Sequence, residues 1–328
     1  MYNEFTHSHR RYMMDFGFAI LGRGPLSDPD SLVKVVRRGE SLGYDAVYIG
    51  DHVLVPNEVS APYPYSPDGS WGGVATGEVK EQLTTLAFLA GATSRLRLVA
   101  SVMIVPYRPP LLAAKVVTTI DVLSKGRLTL GVGAGWMREE FDALRIQPFE
   151  ERGDVTDDYI KAFKSMWGES NPTYHGKYCD ISGIQFLPKP VQKPHPPIWV
   201  GGESPRAIRR AATFGDAWYP FGSNPAFPLD SPERLQTSID RLRIQMEKQN
   251  RDPKTTDVAY RPAQYSYTSK GHTAPFVGNA EQIIEDIAEF NALGVNHLVI
   301  GFNENSVEEQ LFDLEQFAAE VMPKARTI

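Results

Sequence analysis

The dipeptide Asp51-His52 closes the short apolar run Ala46-Val47-Tyr48-Ile49 and Gly50, so an acid and an imidazole stand together at the end of a candidate strand. An imidazole titrates near neutrality and can give or take a proton, and a carboxylate beside it can fix its tautomer or hold neighbouring backbone. A structural turn capped by Asp51 accounts for the same pair. Further on, Gly131-Val132-Gly133-Ala134-Gly135-Trp136 precedes the acidic start of a helix at Arg138-Glu139-Glu140. Glycine lets backbone approach a ligand closely, which makes Gly133, Ala134, Gly135 and Trp136 candidates for packing against an aromatic cofactor, with a tight turn as the alternative. The dinucleotide fingerprint is not met, because its third glycine falls at Trp136.

A third turn, Gly201-Gly202-Glu203-Ser204, opens a helix at Pro205. The N–H groups of a helix start, reached through two glycines and a hydroxyl, form a phosphate cradle. A capped helix is the plainer reading, and Glu203 turned inward would oppose an anion. Arg108, after Pro106-Tyr107, is directed either to a substrate anion or to an acidic helix end. Tyr63, Tyr65 and Trp71 lie in a Pro/Tyr/Gly-rich stretch and are candidates for a lid over a substrate pocket. With Trp136 and Trp199 they suggest a hydrophobic or ring-containing substrate. The single cysteine, Cys179, has no partner for a disulfide, which fits a reducing, cytoplasmic setting. The seven histidines show no metal-ligand spacing, so no protein-bound metal is expected.

The elements that must position these residues alternate. Short β-branched runs at 16–20, 46–49, 96–105, 128–132, 198–200, 217–219, 258–262 and 297–300 are separated by helical patterns starting near Ser31, Gln82, Leu111, Arg152, Pro205, Pro232, Ala280 and Val307. The helix from Ala280 carries Ile283, Ile287, Phe290 and Leu293 on one stripe, and Asn279 with Gln282 reads as a capping box. Eight such units predict an α/β fold, a (β/α)8 TIM-type barrel over residues 14–328. An N-terminal extension occupies 1–13, and insertions near 56–77 and 168–197 are expected to reach the C-terminal mouth.

Composition sets outer bounds. The chain has 328 residues, 42% hydrophobic and 23% charged, and a formal net charge of −6, so no basic surplus marks a nucleic-acid partner. No apolar run approaches the roughly 20 residues of a membrane span. Asp51 and Asp216 would serve as the paired carboxylates of a barrel glycosidase, but that reading leaves the histidine and the glycine turns unexplained.

Pro106-Tyr107-Arg108-Pro109-Pro110, Ala114-Lys115, the run Thr119-Ile120-Asp121-Val122-Leu123-Ser124-Lys125-Gly126-Arg127-Leu128, the 131–136 turn, Pro188-Lys189-Pro190, Pro196-Pro197-Ile198-Trp199-Val200-Gly201-Gly202 and Gly215-Asp216-Ala217-Trp218 together resemble the luciferase-like monooxygenase superfamily. The resemblance is closest to its coenzyme F420-dependent oxidoreductases. It implies non-covalent F420 or FMN, with the ring on a bulge in strand three at Ala100, Ser101 and Val102, where a non-prolyl cis peptide maps onto Ser101-Val102. It also implies His52 as the residue that moves a proton beside the ring, supported by Asp51. The first expectation is F420-dependent hydride transfer with a small organic substrate. The alternatives are an FMNH2-dependent two-component monooxygenase, supplied by a flavin reductase and consuming oxygen, and a flavin-binding barrel without catalysis. Sugar-phosphate dehydrogenases of the F420 group carry Glu at the place of Trp136 and an aromatic residue at the place of Pro56, so that substrate is not expected. Relatives are commonly homodimers through helices near the start of the barrel.

Overall fold

A computed structural model describes residues 14–302 and 305–328, so the expected extension at 1–13 lies outside the described residues. Eight parallel strands close into a barrel: β1 (Asp15–Ile20), β2 (Ala46–Ile49), β3 (Arg97–Ile104), β4 (Leu128–Gly133), β5 (Ile198–Gly201), β6 (Ala217–Tyr219), β7 (Asp257–Tyr260) and β8 (Val295–Ile300). Closure is made by β1, which pairs Gly17 with Ala46 on one side and Asp15 with His297 on the other. The main helices are α1 (Pro29–Leu42), α2 (Gln82–Ala92), α3 (Pro110–Leu123), α4 (Arg152–Gly168), α5 (Pro205–Phe214), α6 (Pro232–Glu247), α7 (Ala280–Leu293) and α8 (Val307–Glu320). Their starts follow local chemistry. Asp28, Ser204, Ser231 and Ser306 each accept from a first-turn N–H, and Asn279 with Gln282 forms the expected capping box.

Side chains fill the barrel, mixing small and large residues: Ala19, Val99, Ala217 and Ala259 lie beside Tyr48, Trp199 and Tyr219. Gly17 makes the space for one of them, since a Cβ there would come 2.3 Å from the Tyr48 ring. The larger apolar layer lies between the barrel and the helices.

Trp199 corrects the sequence reading. It is near the start of β5, packed against His297 at a ring distance of 4.6 Å, and lines a small cavity at the base instead of the mouth. Asp216 precedes β6 and accepts from Ile198 N–H at 2.8 Å, so it and Asp51 are at opposite ends of the barrel and cannot act as a glycosidase pair. The 168–197 insertion begins where α4 ends and leads into β5. Its Gln192 amide donates to the Leu128 carbonyl at the foot of β4, while Tyr174 and Lys177 reach Asp158 and Glu151 along α4. A further insertion, 261–279, follows β7 at the mouth and was not expected from sequence.

At the base, His297 stands between Asp15 (3.2 Å) and Asp257 (3.5 Å) with 18% of its side chain exposed. Burial pushes its pKa down, but the hydrogen bonds and charges of the two aspartates outweigh this and raise it to about 9. A raised folded-state pKa means stabilisation that is complete below the unfolded value near 6.5 and lost as pH rises through about 9, on the order of 3 kcal/mol in all. The urea midpoint should therefore fall as pH rises across this window, and His297→Gln should flatten that part of the profile. An equally sloping profile in the variant refutes the assignment.

Candidate active site

The mouth of the barrel holds a cavity of about 930 Å³. Its floor is set by β3, whose register against β4 shifts between Ala100 and Met103 and whose Ser101-Val102 peptide is cis. The neighbouring strands are cut back to receive this bulge. A Cβ on Gly133 would meet Val102 at 2.5 Å, one on Gly201 at 2.9 Å, and one on Gly131 would strike the Ala100 carbonyl at 2.1 Å. The glycines of β4 and β5 thus admit a protein side chain as well as bringing backbone to the cavity. Ser101 and Val102 line the cavity, whereas Ala100 is fully buried beneath it. The Ser101 hydroxyl shares a 2.9 Å hydrogen bond with the Tyr219 hydroxyl.

Asp51 and His52 both reach the mouth but face different partners. His52 Nδ1 lies 2.9 Å from Glu140 Oε2. Glu140, fully buried in the short helix Arg138–Leu144, also accepts from Val53 N–H at 2.8 Å and from the Tyr107 hydroxyl at 2.5 Å. Burial pushes the Glu140 pKa up, but the His52 hydrogen bond and charge, with Tyr107 and Val53, bring it below the ordinary value. A charged acceptor fixes the proton on Nδ1 and leaves Nε2 as the nitrogen that exchanges one. The support expected from Asp51 is therefore supplied by Glu140, 88 residues away in sequence. Asp51 instead accepts from Ile104 N–H at 2.8 Å and from both terminal nitrogens of Arg108 at 2.7 and 2.8 Å. Arg108 is further held by Glu81, the N-cap of α2. Its charge is matched within the protein, so the acidic-end alternative holds and Arg108 does not line the cavity.

The 56–77 insertion covers His52. Trp71 packs on its ring at 4.4 Å, Tyr63 meets Trp136 edge-on at 5.2 Å, and Tyr65 stacks on Phe221 at 5.0 Å. Ser60 N–H donates to Glu139 at 2.7 Å, and the Ser223 hydroxyl donates to the Tyr65 carbonyl at 3.0 Å, tying the first half of this segment to the barrel rim at two points. Tyr63, Tyr65 and Trp136 line the cavity, and Trp71 backs the histidine.

On the far wall, Gly201, Gly202, Glu203 and Ser204 all line the cavity, and Ser204 Oγ caps α5 through Ala207 N–H. Glu203 does not point at this helix start as a free anion. It is 4% exposed and accepts from Phe221 N–H and from Asn224 Nδ2 at 2.8 and 2.7 Å. Burial raises its pKa to about 7 against those hydrogen bonds. Beyond the turn the cavity continues as a furrow between α4 and α5, edged by Lys161, Arg206 and Arg209. None of the three has a carboxylate partner among the described residues, whereas Arg210 beside them is paired with Asp157. Glu140, Tyr107, Phe221 and this basic edge were not singled out in sequence as site residues. Their one sequence signal was the acidic first turn at Glu139-Glu140.

The family model described as luciferase-like monooxygenase matches residues 14–269. The chain belongs to the luciferase-like monooxygenase family. An uncharacterised protein of Mycobacterium tuberculosis is 27% identical over 311 residues, 91% of this chain and 97% of that protein. The FMNH(2)-dependent dimethylsulfone monooxygenase of Pseudomonas putida is 34% identical over 166 residues, which is 50% of this chain and 43% of that one. Among solved structures, an F420-dependent secondary alcohol dehydrogenase in complex with an F420-acetone adduct superposes with a TM-score of 0.75 at 17% identity, covering 95% of this chain and 99% of that one. The monooxygenase RslO1 of Streptomyces bottropensis gives 0.73 at 19% identity over 94% and 99%. As a luciferase-like monooxygenase by family, the protein is an oxidoreductase built on this barrel.

Proposed function

We propose that this enzyme transfers hydride between F420 and a small organic substrate, with His52 as the general acid or base. The observation that carries the reading is the buried Glu140 carboxylate on His52 Nδ1, which leaves Nε2 free in the cavity that Ser101 and Val102 also line, under the cover of Trp71. A deazaflavin bound there supplies the hydride-accepting or hydride-donating carbon. The chain's own residues do the rest. His52 holds or releases the substrate proton, Glu140 and Tyr107 keep its ring in one orientation, and the aromatic cover excludes water. Gly201, Gly202 and Ser204 would hold the cofactor phosphate at the start of α5, with Glu203 turned onto its own donors. The preference for F420 rests on Lys161, Arg206 and Arg209, because F420 continues past its phosphate into an anionic tail and FMN does not.

The test is anaerobic titration of the full chain with each cofactor, following quenching of its fluorescence. F420 is expected to bind about 10-fold or more tighter than FMN, and the gap should narrow as salt screens the furrow. Tighter FMN binding overturns the preference and moves the reading to an FMNH2-dependent monooxygenase. The 34% identity to the dimethylsulfone monooxygenase favours that second reading, and oxygen uptake with FMNH2 would identify it. In that case a separate reductase supplies the reduced flavin. A homodimer is proposed through α2 and α3, where Phe88, Leu111, Leu112 and Leu123 are exposed on apolar helices.

A further inference from the structure

Arg261 leaves the end of β7 into the mouth, three strands round the ring from His52 by way of β1 and β8. Its guanidinium lies 4.5 Å above the centre of the Phe221 ring and close over Gly301, where a Cβ would be 3.1 Å from one of its nitrogens. Around the same mouth Arg108, Arg138 and Arg210 each have a carboxylate partner, and among the described residues Arg261 has none. Of the carboxylates that line the same cavity, Glu203 is already engaged by Phe221 N–H and Asn224, and Asp51, Glu150 and Asp157 are paired with Arg108, Arg138 and Arg210. The guanidinium charge reaches Tyr219, Tyr65 and Tyr63, in each case opposing the rise that burial gives the phenol. Tyr219 is in turn hydrogen-bonded to Ser101 on the shelf. A cation among aromatic rings without a counter-ion is costly, and stacking on Phe221 offsets only part of that cost. A guanidinium that contacts a ring in this way has five N–H donors, enough to meet an oxyanion as well.

We propose that Arg261 anchors a substrate anion: the molecule turned over here carries a carboxylate, sulfonate or similar oxyanion, with an apolar and preferably planar body between Tyr63, Tyr65 and Trp136. This rests on the reading that the mouth is where turnover occurs, but not on which cofactor is bound. The role that sequence reading gave to Arg108 as one of two options thus falls to a different arginine, because Asp51 and Glu81 satisfy Arg108 and nothing in the described chain satisfies Arg261.

The test uses benzoate, benzenesulfonate, benzamide and benzylamine as probes, with tryptophan fluorescence from Trp71 and Trp136 reporting entry into the mouth. The full chain is titrated alone and again with FMN or F420 present, so a failure of either cofactor to bind does not alter this result. Benzoate or benzenesulfonate is expected to bind about 10-fold or more tighter than benzamide. Arg261→Met should remove that difference while leaving benzamide within about 2-fold, and Arg261→Lys should restore part of it. Equal binding of benzoate, benzenesulfonate and benzamide, tightest binding of benzylamine, or no anion binding in the millimolar range each overturns the proposal. So does undiminished anion binding by Arg261→Met. Should that variant fail to fold, the wild-type comparison and Arg261→Lys decide the matter.

Discussion

Turnover by His52→Ala should fall about 100-fold or more while cofactor affinity stays within a few-fold of wild type, because general acid–base catalysis by a positioned side chain contributes on that order. The imidazole lines the same cavity as Ser101 and Val102, and its removal deletes no residue of the glycine turn at 201–204. Glu140→Gln is the informative companion. Its amide preserves size and can still accept from Nδ1, but the full negative charge that stabilises a protonated ring is gone. A smaller loss is expected, about 10-fold, because the ring then loses the charged acceptor that fixes its tautomer. Full turnover by His52→Ala with cofactor bound would remove the histidine from the chemistry altogether.

The second large effect is on stability. Asp51→Ala leaves the Arg108 guanidinium, 12% exposed, with only Glu81 and leaves the Ile104 N–H without its acceptor. Deleting one member of a buried ion pair costs about 3 to 5 kcal/mol, chiefly because the other charge remains buried. Glu81 retains part of the compensation, so a loss of about 3 kcal/mol is expected, read as a lower urea midpoint with unchanged slope. Adding Arg108→Met should recover part of that loss, because the unmatched cation goes with it. A single variant as stable as wild type would show that the pair is not needed to hold the end of β3. Cofactor affinity should fall in the single variant as well, since Ile104 lies two residues beyond Val102 on the same strand.

Local signals carried the fold a long way. The runs at 46–49 and 217–219 are strands over the same residues in the structure, and α2, α4, α5, α6, α7 and α8 begin at the residues their patterns indicated. Caps and periodicity act within a few residues, so they are legible one segment at a time. Partnership was not legible. Nothing near Asp51-His52 says that the imidazole will face Glu140 and the carboxylate Arg108, because both choices depend on how β2, β3 and the 138–144 helix meet. Trp199 shows a related limit: strand alternation indicates which face a side chain takes, while the end of the barrel depends on where the strand begins. Arg261 was hidden because the apolar pattern was extended to Pro262. The strand stops at Tyr260, Arg261 makes one further parallel bridge to Phe221, and Pro262, with no N–H to donate, helps end the pairing there.

The accommodation of Val102 bears on how this enzyme could acquire new activities. Two adjacent strands have given up side chains so that the isopropyl group of Val102 can be accommodated in the shelf, and any larger residue at 131, 133 or 201 collides with it or with the Ala100 carbonyl. The floor is consequently a coupled unit that single substitutions cannot remodel stepwise, either by natural drift or by directed evolution. The covering segment is different in kind, since Tyr63, Tyr65 and Trp71 touch the rim through separable ring contacts and a few surface hydrogen bonds. Changes in the roof can therefore accumulate one at a time, whereas the floor has to change as a unit.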